Sequence, residues 1–417
     1  MLDIQYIRQN IEKVKQAVKN KNRPVDVDRI ITLDDKRKEL IQKAQTLRER
    51  RNELARNANG NGQQTTGQKP SQAHITEGKQ IKEQLKTIEG ALKQVEEELH
   101  DRMMHVVNVP LDDTPIGPDA SGNVELRTWG EKPTFDFEPK DHITLMENLG
   151  WLDLERGSKV SGFRGYFLKG EGALLQIKLL MWAFNELAKK GYTPMIAPAI
   201  VKEFALFGTG HFPWGSEQDV YALNEEDAFL AGTAEVPITS YYAGEVLHEK
   251  DLPIRMVGFS PCYRREAGAY GKDTRGIYRV HEFMKVEQVI IGRNDMDEAI
   301  TLHEELQKNT EDLLQKLGLP YRVLRMCTGD MGEPQIKKYD TEAWIPSKQA
   351  YGEVGSNSIM GDFQARRLNL RYKAKDGGVK YCFTFNNTAL AAPRILIPLV
   401  ENGQKEDGGV EYSEFYS

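Results

Sequence analysis

Two heptad repeats in the N-terminal quarter constrain the fold more than any other feature of the sequence. The first, over residues 27 to about 56, has Ile30 and Ala44 on a stripe with four leucines seven residues apart: Leu33, Leu40, Leu47 and Leu54. The second, over about 73–107, shows the four-three spacing of a coiled coil at Ile81, Leu85, Ile88, Leu92, Val95 and Leu99. Each repeat predicts one helix of roughly 45–50 Å.

The segment between the two repeats predicts how they are joined. Residues 57–71 are rich in Gly, Asn and Gln, which is typical of a flexible tip. Two long helices around such a tip form an antiparallel coiled-coil arm. The pattern alone leaves two interpretations open, a spacer or dimerisation element and a binding arm. Residues 1–22 predict a further short amphipathic helix that packs at the base of the arm.

The remainder of the chain mixes helical and strand patterns. We expect an N-terminal arm over 1–107, a linker over 108–129 and a larger domain over 130–417. Helices are predicted over Gly172–Lys190, Met296–Leu317 and about Leu390–Glu401, and extended segments over 192–198, Ile254–Cys262, Phe283–Ile291, Ala365–Tyr372 and Lys380–Phe385. Strands joined by hairpin loops, with helices between them, predict an α+β domain on a mostly antiparallel sheet flanked by helices.

Composition excludes several functional classes. The 417 residues are 39% hydrophobic and 28% charged, which is typical of a globular protein, and carry no apolar run long enough for a membrane. The N-terminus lacks the basic start of a signal peptide, and the three cysteines form no CxxC pair, so we expect a cytoplasmic protein. The net charge of −6 argues, as a total, against a nucleic-acid partner.

One predicted hairpin concentrates residues that suit a nucleotide. Because side chains alternate along a strand, we expect Arg264 and Glu266 to share one face, and Phe283 and Glu287 likewise. Arginine bridges carboxylate and phosphate oxygens, and an aromatic ring stacks on a base. Lys272 and Arg275 in the connecting loop could clamp phosphates. Taken alone, this pattern also fits an exposed, salt-bridged hairpin.

Six segments that follow one another along the chain carry motifs of a known enzyme class. They are Gly191–Pro198, Phe207–Pro213, Leu230–Pro237, Arg264–Phe283, Gly361–Arg367 and Asn386–Arg394. The first, fourth and sixth resemble motifs 1, 2 and 3 of the class II aminoacyl-tRNA synthetases. The other three and the helical arm are similar to segments of one branch, the seryl-tRNA synthetase family, and the resemblance covers essentially the whole chain.

The resemblance implies a two-step ligation at an ATP site. Serine and ATP would form seryl-adenylate and pyrophosphate, and the terminal ribose hydroxyl of tRNA would then attack the activated carboxyl. Catalysis is expected from positioning and electrostatics. The catalytic residues implied are Arg264, Glu266 and Arg394, and the ATP-binding residues are Arg264, Arg265, Glu266, Val280, His281, Phe283, Glu353, Val354, Gly355, Ser356 and Arg394.

The family resemblance also assigns a role to individual residues. Arg264 would hold the serine carboxylate against the α-phosphate, Glu266 would accept from the adenine amino group, and Phe283 would stack on the ring. Arg394 would cover the opposite face of the adenine and reach the γ-phosphate. Mg²⁺, which prefers oxygen ligands, would bind two of the residues that line the ATP site, Glu353 and Ser356.

A serine pocket is implied by the same resemblance. Its members are Thr233, Ala234, Glu235, Arg264, Glu287, Asn386 and Thr388. Acceptors in such a pocket would bind the ammonium and hydroxyl of serine, so a substrate without the hydroxyl should be rejected. His281 is expected to be structural, and Lys285 to be a charge partner.

Several positions depart from the pattern of the family. Gly355 and Asn357 stand where Ser and Cys are common, and Asn387 stands where Gly is common. Thr388 keeps a hydroxyl and adds a methyl group. Pro398 falls inside the predicted last helix, where proline can kink the backbone.

Partners and alternatives follow from the same comparison. The implied partners are L-serine, tRNA(Ser) held by the arm, a second copy of the chain in a homodimer, and tRNA(Sec) where an organism has one. One alternative is a related ligase that charges a carrier protein, although that class lacks the long arm. Another is a non-catalytic paralogue with a binding or regulatory role, which the retained motif arginines and glutamates argue against.

Charge is distributed unevenly along the chain. Residues 1–56 carry 15 Lys and Arg against 9 Asp and Glu, whereas residues 57–107 carry 6 against 7. The acidic surplus therefore lies in the catalytic part. A basic N-terminal region is compatible with phosphate contacts to tRNA, so charge per region is more informative than the total.

Overall fold

The computed structural model describes residues 1–58, 72–215, 220–223, 227–267 and 275–412. These residues divide into two compact units. One comprises residues 3–15 and 24–106, and the other comprises residues 1–2, 16–23 and 107 onward. Lys272 and most of the tip predicted over 57–71 lie outside the described residues. No helix in the described ranges is long and apolar enough to cross a membrane.

Helices α1 to α4 make up the N-terminal region. They span Ile4–Gln9, Ile11–Asn20, Val27–Ala58 and Gln72–Met104. The two long helices confirm the heptad prediction. The predicted short helix over 1–22 is instead two helices, because the backbone at Asn10 leaves the helical region.

Helices α3 and α4 pack along their apolar stripes. Ala44, Leu54, Ile81 and Leu85 are buried together. Ion pairs cross between the helices, with Arg29 bound to Glu98 near one end and Arg50 to Glu77 near the other. Because residue numbers rise along one helix and fall along its partner, the pair is antiparallel.

An eight-stranded sheet organises the larger unit. Its order is β1 (Val124–Trp129), β11 (Tyr321–Arg325), β12 (Lys337–Ile345), β13 (Ala350–Gly361), β16 (Phe383–Ala392), β10 (Glu282–Gly292), β9 (Ile254–Tyr263) and β4 (Thr193–Ile196). All neighbours are antiparallel except β4 and β9. The α+β class with a mostly antiparallel sheet is thus as expected.

Smaller elements surround this sheet. The short strands are β2 (Leu152–Asp153), β3 (Phe167–Leu168), β5 (Ile200–Val201), β6 (Tyr221–Ala222), β7 (Phe229–Leu230), β8 (Val246–His248), β14 (Arg371–Lys373) and β15 (Val379–Tyr381). The helices are α5 (His142–Asn148), α6 (Leu154–Ser161), α7 (Gly170–Lys189), α8 (Glu203–Thr209), α9 (Glu235–Thr239), α10 (Met296–Lys316), α11 (Phe363–Leu368) and α12 (Leu396–Asn402). The apolar core lies between the sheet and α7, α10 and α12.

Three predictions near the C-terminus are wrong. The strand predicted over Ala365–Tyr372 is helix α11 followed by β14, and the strand predicted over Lys380–Phe385 divides between β15 and β16 in different sheets. The helix predicted over Leu390–Glu401 begins only at Leu396, because β16 continues to Ala392. Strand β16 is buried on both faces, so its apolar run has no alternation that distinguishes it from a buried helix.

Pro398 does not sit where proline would kink α12. It is the third residue of that helix and lies in its first turn, where proline is tolerated.

Candidate active site

One cleft in the larger unit gathers most of the predicted site residues. It is walled by β9, β10, β13, β16 and the segments that follow them. The predicted residues in its lining are Thr233, Glu235, Arg264, Glu266, Val280, Phe283, Glu287, Glu353, Val354, Gly355, Ser356, Asn386, Thr388 and Arg394. Residues about 160 positions apart thus converge through strand pairing, which sequence spacing alone does not show.

The β9–β10 hairpin places the first group. Phe283 lies opposite Cys262, and Glu287 opposite Gly258, in an antiparallel register. Strand β9 ends at Tyr263, and Glu266 has a positive φ of 54°. The alternation assumed for Arg264 and Glu266 therefore stops before them, and turn geometry, not a shared strand face, directs both side chains into the cleft.

Arg264 is held at the mouth of the cleft by backbone contacts. Its Nε donates to the carbonyl of Gly232 at 3.2 Å, and its guanidinium carbon lies 5.2 Å from the ring centroid of Phe283. The backbone N–H of Arg264 donates to His281 O, and a ring nitrogen of His281 contacts Arg264 O, both at 2.9 Å. His281 thus supports the arginine from outside the cleft, as its expected structural role requires.

Glu266 is paired with two arginines that the sequence did not single out. Its carboxylate lies 3.2 Å from Arg279 Nη1 and 3.4 Å from Arg164 Nη1. Arg164 comes from a segment about 100 residues earlier, so no local motif signals this contact.

A buried ion pair occupies the floor of the cleft. Lys285 Nζ lies 2.6 Å from Glu287 Oε2 and donates to Thr233 Oγ1 at 2.8 Å. The hydroxyl of Thr388 donates to the same Glu287 oxygen at 3.0 Å. Lys285 is thus the charge partner that the sequence predicted. Burial raises the pKa of Glu287, and the positive charge of Lys285 opposes that rise.

Glu235 is a second buried carboxylate beside this ion pair. Gln364 Nε2 donates to Glu235 Oε1 at 2.8 Å, and burial raises the pKa of Glu235. Gln364 lies in a segment that resembles the family, but no pattern in the sequence assigns it a contact. Asn386 is also buried here, and its Nδ2 has no hydrogen-bond partner within the described residues.

His211 is a cleft residue that sequence reasoning missed. Burial lowers its pKa to about 4, with a smaller contribution from the positive charge of Arg264. A ring nitrogen of His211 lies 2.9 Å from the Thr209 hydroxyl. The ring is therefore neutral near pH 7. Its place in a family-like segment was the only available signal.

Arg394 and Glu353 define the other end of the cleft. Arg394 Nε donates to Tyr278 O at 3.1 Å, and Nη1 donates to Glu353 O at 3.3 Å. The ring of Tyr278 stacks below this guanidinium at 4.6 Å from its centroid. Tyr278 is a further lining residue that the sequence did not identify.

Oxygen atoms cluster beside Glu353. Ser356 lines the cleft two residues after Val354, and its cross-strand neighbour is Asp340 on β12. Burial raises the pKa of Asp340 to about 6, and Lys338 Nζ lies 3.0 Å from its Oδ2. Its buried Oδ1 lacks a hydrogen-bond partner in the part of the chain that the structure describes. This donor set of carboxylates and a hydroxyl fits a hard divalent cation.

The remaining predicted residues lie beside the cleft. Ala234 is fully buried and packs against Gly258, where an added Cβ would lie 3.0 Å from the alanine methyl group. The guanidinium of Arg265 lies 5.9 Å from the ring centroid of Tyr221. Arg275 lines a neighbouring groove with His142 and Lys348.

Comparisons with known proteins identify the family. Residues 1–110 match the seryl-tRNA synthetase N-terminal domain, and residues 219–403 match the tRNA synthetase class II core domain (G, H, P, S and T). Among curated proteins, the serine–tRNA ligase of Deinococcus radiodurans is 45% identical over 98% of this chain and 95% of its own. That of Treponema denticola is 41% identical over 99% and 97%.

Solved structures give the same result. The seryl-tRNA synthetase of Pyrococcus horikoshii, complexed with ATP, has a TM-score of 0.92 at 35% identity, over 100% of this chain and 97% of its own. The cytoplasmic serine–tRNA ligase of Naegleria fowleri, in complex with AMP, has a TM-score of 0.87 at 30% identity, over 100% and 96%. The chain therefore belongs to the seryl-tRNA synthetase family of class II aminoacyl-tRNA synthetases.

Proposed function

We propose that this protein uses ATP to ligate L-serine to tRNA(Ser) through a seryl-adenylate. The observation that carries the proposal is the cleft, where a small buried polar pocket adjoins a surface of arginines and an aromatic ring. The relatives named serine–tRNA ligase, and the related structures with ATP and AMP, support the same assignment.

The pocket chemistry favours a small amino acid with a hydroxyl. Glu235 and Glu287 provide acceptors for an ammonium group, and burial makes each carboxylate costly to leave without a cationic or hydrogen-bonding partner. Asn386 Nδ2 is a buried donor without a protein partner in the described ranges, so a substrate oxygen can accept from it. The Thr388 methyl group and hydroxyl limit the space for a larger side chain.

The surface above the pocket suits the nucleotide. Arg264 would bind the serine carboxylate and the α-phosphate together, while Phe283 and Arg394 would enclose the adenine from opposite faces. Glu266 would accept from the adenine amino group. We further assign Arg265, Val280, His281, Val354 and Gly355 to the ATP site through neighbouring contacts, and Ala234 to the serine site.

Mg²⁺ would be held by the Glu353 carboxylate and the Ser356 hydroxyl. The buried Asp340 oxygen without a described partner adds to the negative potential there. Burial opposes ionisation of Glu353, but the positive charges of Arg394, Lys338, Arg264 and Arg279 together lower its pKa, so the carboxylate is ionised at neutral pH. Mg²⁺ neutralises phosphate charge when bound.

The reaction needs no protein nucleophile. A serine carboxylate oxygen attacks the α-phosphorus, a new O–P bond forms, and pyrophosphate leaves with the electrons of the broken bond. The tRNA ribose hydroxyl then attacks the activated carbonyl carbon and AMP leaves. Arg264, Glu266 and Arg394 serve by holding the reacting groups and the developing charge.

The helical region over residues 1–107 is the proposed tRNA-binding arm. The proposed linker over 108–129 ends in β1, which joins the sheet of the proposed catalytic domain over 130–417. Residues 1–56 of the arm carry a basic surplus, which suits contacts to phosphates. tRNA(Sec) would be charged by the same recognition. The cytoplasm is the proposed location.

A homodimer is proposed from an apolar surface of the larger unit. On α7, Leu174, Ile177 and Met181 share one face and are 40–57% exposed. On β4, at the edge of the sheet, Ile196 is 75% exposed. Apolar groups clustered on one surface favour burial against a second copy. Sedimentation should give twice the mass of 47.4 kDa, and Ile177→Asp should shift it to the monomer.

ATP–pyrophosphate exchange tests the proposed activity. Serine should support exchange, whereas alanine, which lacks the hydroxyl, should not. Comparable exchange with alanine and serine would contradict the pocket assignment. A carrier-protein ligase would exchange pyrophosphate with serine and leave tRNA uncharged.

A further inference from the structure

The strands that carry the pocket bear a row of buried amide side chains on their opposite face. Gln288 on β10 lies opposite Asn387 on β16, which lies opposite Asn357 on β13. All three are at most 1% exposed. We refer to these three residues as the amide row. Because side chains alternate along a strand, residues next to them face the cleft, namely Glu287, Thr388 and Ser356.

All three members of the amide row donate to the backbone of α10, and Gln288 does so from Nε2 to Leu306 O at 3.4 Å. Asn387 Nδ2 donates to Leu306 O at 2.6 Å and to Thr310 Oγ1 at 2.9 Å. Asn357 Nδ2 donates to His303 O at 2.9 Å. The two carbonyls lie about one turn apart on the helix. The bonds therefore set both the rotation of α10 and its position along its axis relative to β13 and β16.

Two further hydrogen bonds join α10 to β10 and β16. Gln288 Oε1 accepts from Asn309 Nδ2 at 2.7 Å. The Thr310 hydroxyl donates to the backbone carbonyl of Thr388 at 3.2 Å. A Cβ on Gly355 would lie 3.1 Å from that same carbonyl. Glycine at this position therefore allows the backbones of β13 and β16 to lie this close together.

Gly355, Asn357 and Asn387 come from two different strands, and strand pairing brings all three behind Thr388. Apolar side chains would fill the same space, whereas these directional hydrogen bonds favour one register between helix and sheet.

We propose that the amide row is a positioning device for the serine pocket. It fixes the backbone of β16 so that the Thr388 hydroxyl meets Glu287 at 3.0 Å and its methyl group stays at one depth in the pocket. The row touches no substrate and acts through Thr388. This inference rests on the proposed function, since it concerns how that same pocket selects serine over threonine.

Asn387→Leu tests this positioning role, because leucine has the same branching at Cγ, although it is larger, and it cannot donate to α10. The KM for serine should rise about tenfold, as for the loss of one well-placed hydrogen bond. The KM for ATP should change less than about twofold, because that half of the cleft is held by other contacts. Discrimination against threonine in ATP–pyrophosphate exchange should fall by a similar factor. Asn387→Ala serves the same purpose if the leucine variant does not fold.

Tyr321→Phe is the matched control. The buried Tyr321 hydroxyl also joins α10 to the sheet, since it donates to Glu311 at 2.9 Å and accepts from Gln315 at 2.8 Å. It lies on β11, which carries none of the described cleft residues. This variant should lose stability and keep the KM for serine.

The outcomes separate the two proposals. If Asn387→Leu and Tyr321→Phe lower the unfolding temperature alike and both leave the KM for serine and threonine discrimination unchanged, the positioning role is wrong. If the unmodified protein shows no exchange with serine, the proposed function fails. Hydrogen exchange of the backbone over 386–388 then decides the positioning role. Faster exchange in Asn387→Ala than in Tyr321→Phe supports it, and equal exchange overturns it.

Discussion

At the scale of single residues, Glu287 and Lys285 form a buried ion pair in the cleft. Their side chains are at most 5% exposed and lie 2.6 Å apart. Removing one partner of such a pair leaves the other charge buried without compensation, at a cost of roughly 3–5 kcal/mol. The pair thus affects both stability and substrate binding.

Glu287→Gln should reduce kcat/KM for serine by at least about 100-fold, because the substrate ammonium and the Thr388 hydroxyl both lose a charged acceptor. Pyrophosphate exchange measures the activity, and thermal unfolding measures the cost to the fold. Glu186→Gln is the control, since Glu186 forms pairs with the more exposed Lys189 and Lys316. Equal kcat/KM for serine in both variants would contradict the proposed role of Glu287 in binding serine.

His303 gives a pH prediction at the same scale. Burial lowers its pKa to about 3, from 6.5 in an unfolded chain. As the pH falls below 6.5, the unfolded chain binds a proton that the folded protein does not, so the free energy of unfolding falls towards pH 3. His303→Gln should reduce this slope while keeping a donor for Asn357 O. Chemical denaturation at several pH values measures it, and an unchanged slope would refute the assignment.

Individual contacts were only partly predictable from the sequence. The cleft lining includes most predicted residues because the motifs contain them. Arg164, Gln364 and Tyr278 were missed because their partners lie about 100, 129 and 75–116 positions away. Such contacts depend on strand register, which local patterns do not specify.

At the scale of elements, the long helices followed from the sequence more fully than the strands. A heptad repeat sustained over α3 and α4 is compatible with few structures other than packed helices. Strands β12, β13 and β16 are largely buried, so their residues do not alternate between apolar and polar, and the sequence assigned the end of β16 to a helix. Strand β1 was missed because it falls in the segment read as a linker.

The coiled coil provides a prediction at this scale. Leu85 packs with Ala44, Leu54 and Ile81, so Leu85→Ala should destabilise the arm by about 2–5 kcal/mol. Serylation of tRNA should fall while pyrophosphate exchange with serine stays unchanged, since the arm supplies no described cleft residue. Lys86→Ala, at an exposed neighbouring position, should leave both unchanged. A similar loss of pyrophosphate exchange in Leu85→Ala would contradict the proposal that the arm acts in tRNA binding and not in serine activation.

At the scale of the whole molecule, the uneven charge of the chain predicts its response to salt. Residues 1–56 hold the basic surplus, whereas the cleft is buried and less screened. Raising salt from 50 to 200 mM should weaken serylation by about tenfold or more and change pyrophosphate exchange far less. Both rates can be measured on one preparation. Equal salt dependence would argue against phosphate contacts by the arm.

Transfer of labelled serine to total tRNA by the full chain tests the proposed ligase activity. We expect label in acid-precipitable material that requires ATP and disappears with ribonuclease, and no transfer of alanine. Label that resists ribonuclease would indicate a protein acceptor, and the absence of any serine transfer alongside intact folding would contradict the proposed ligase.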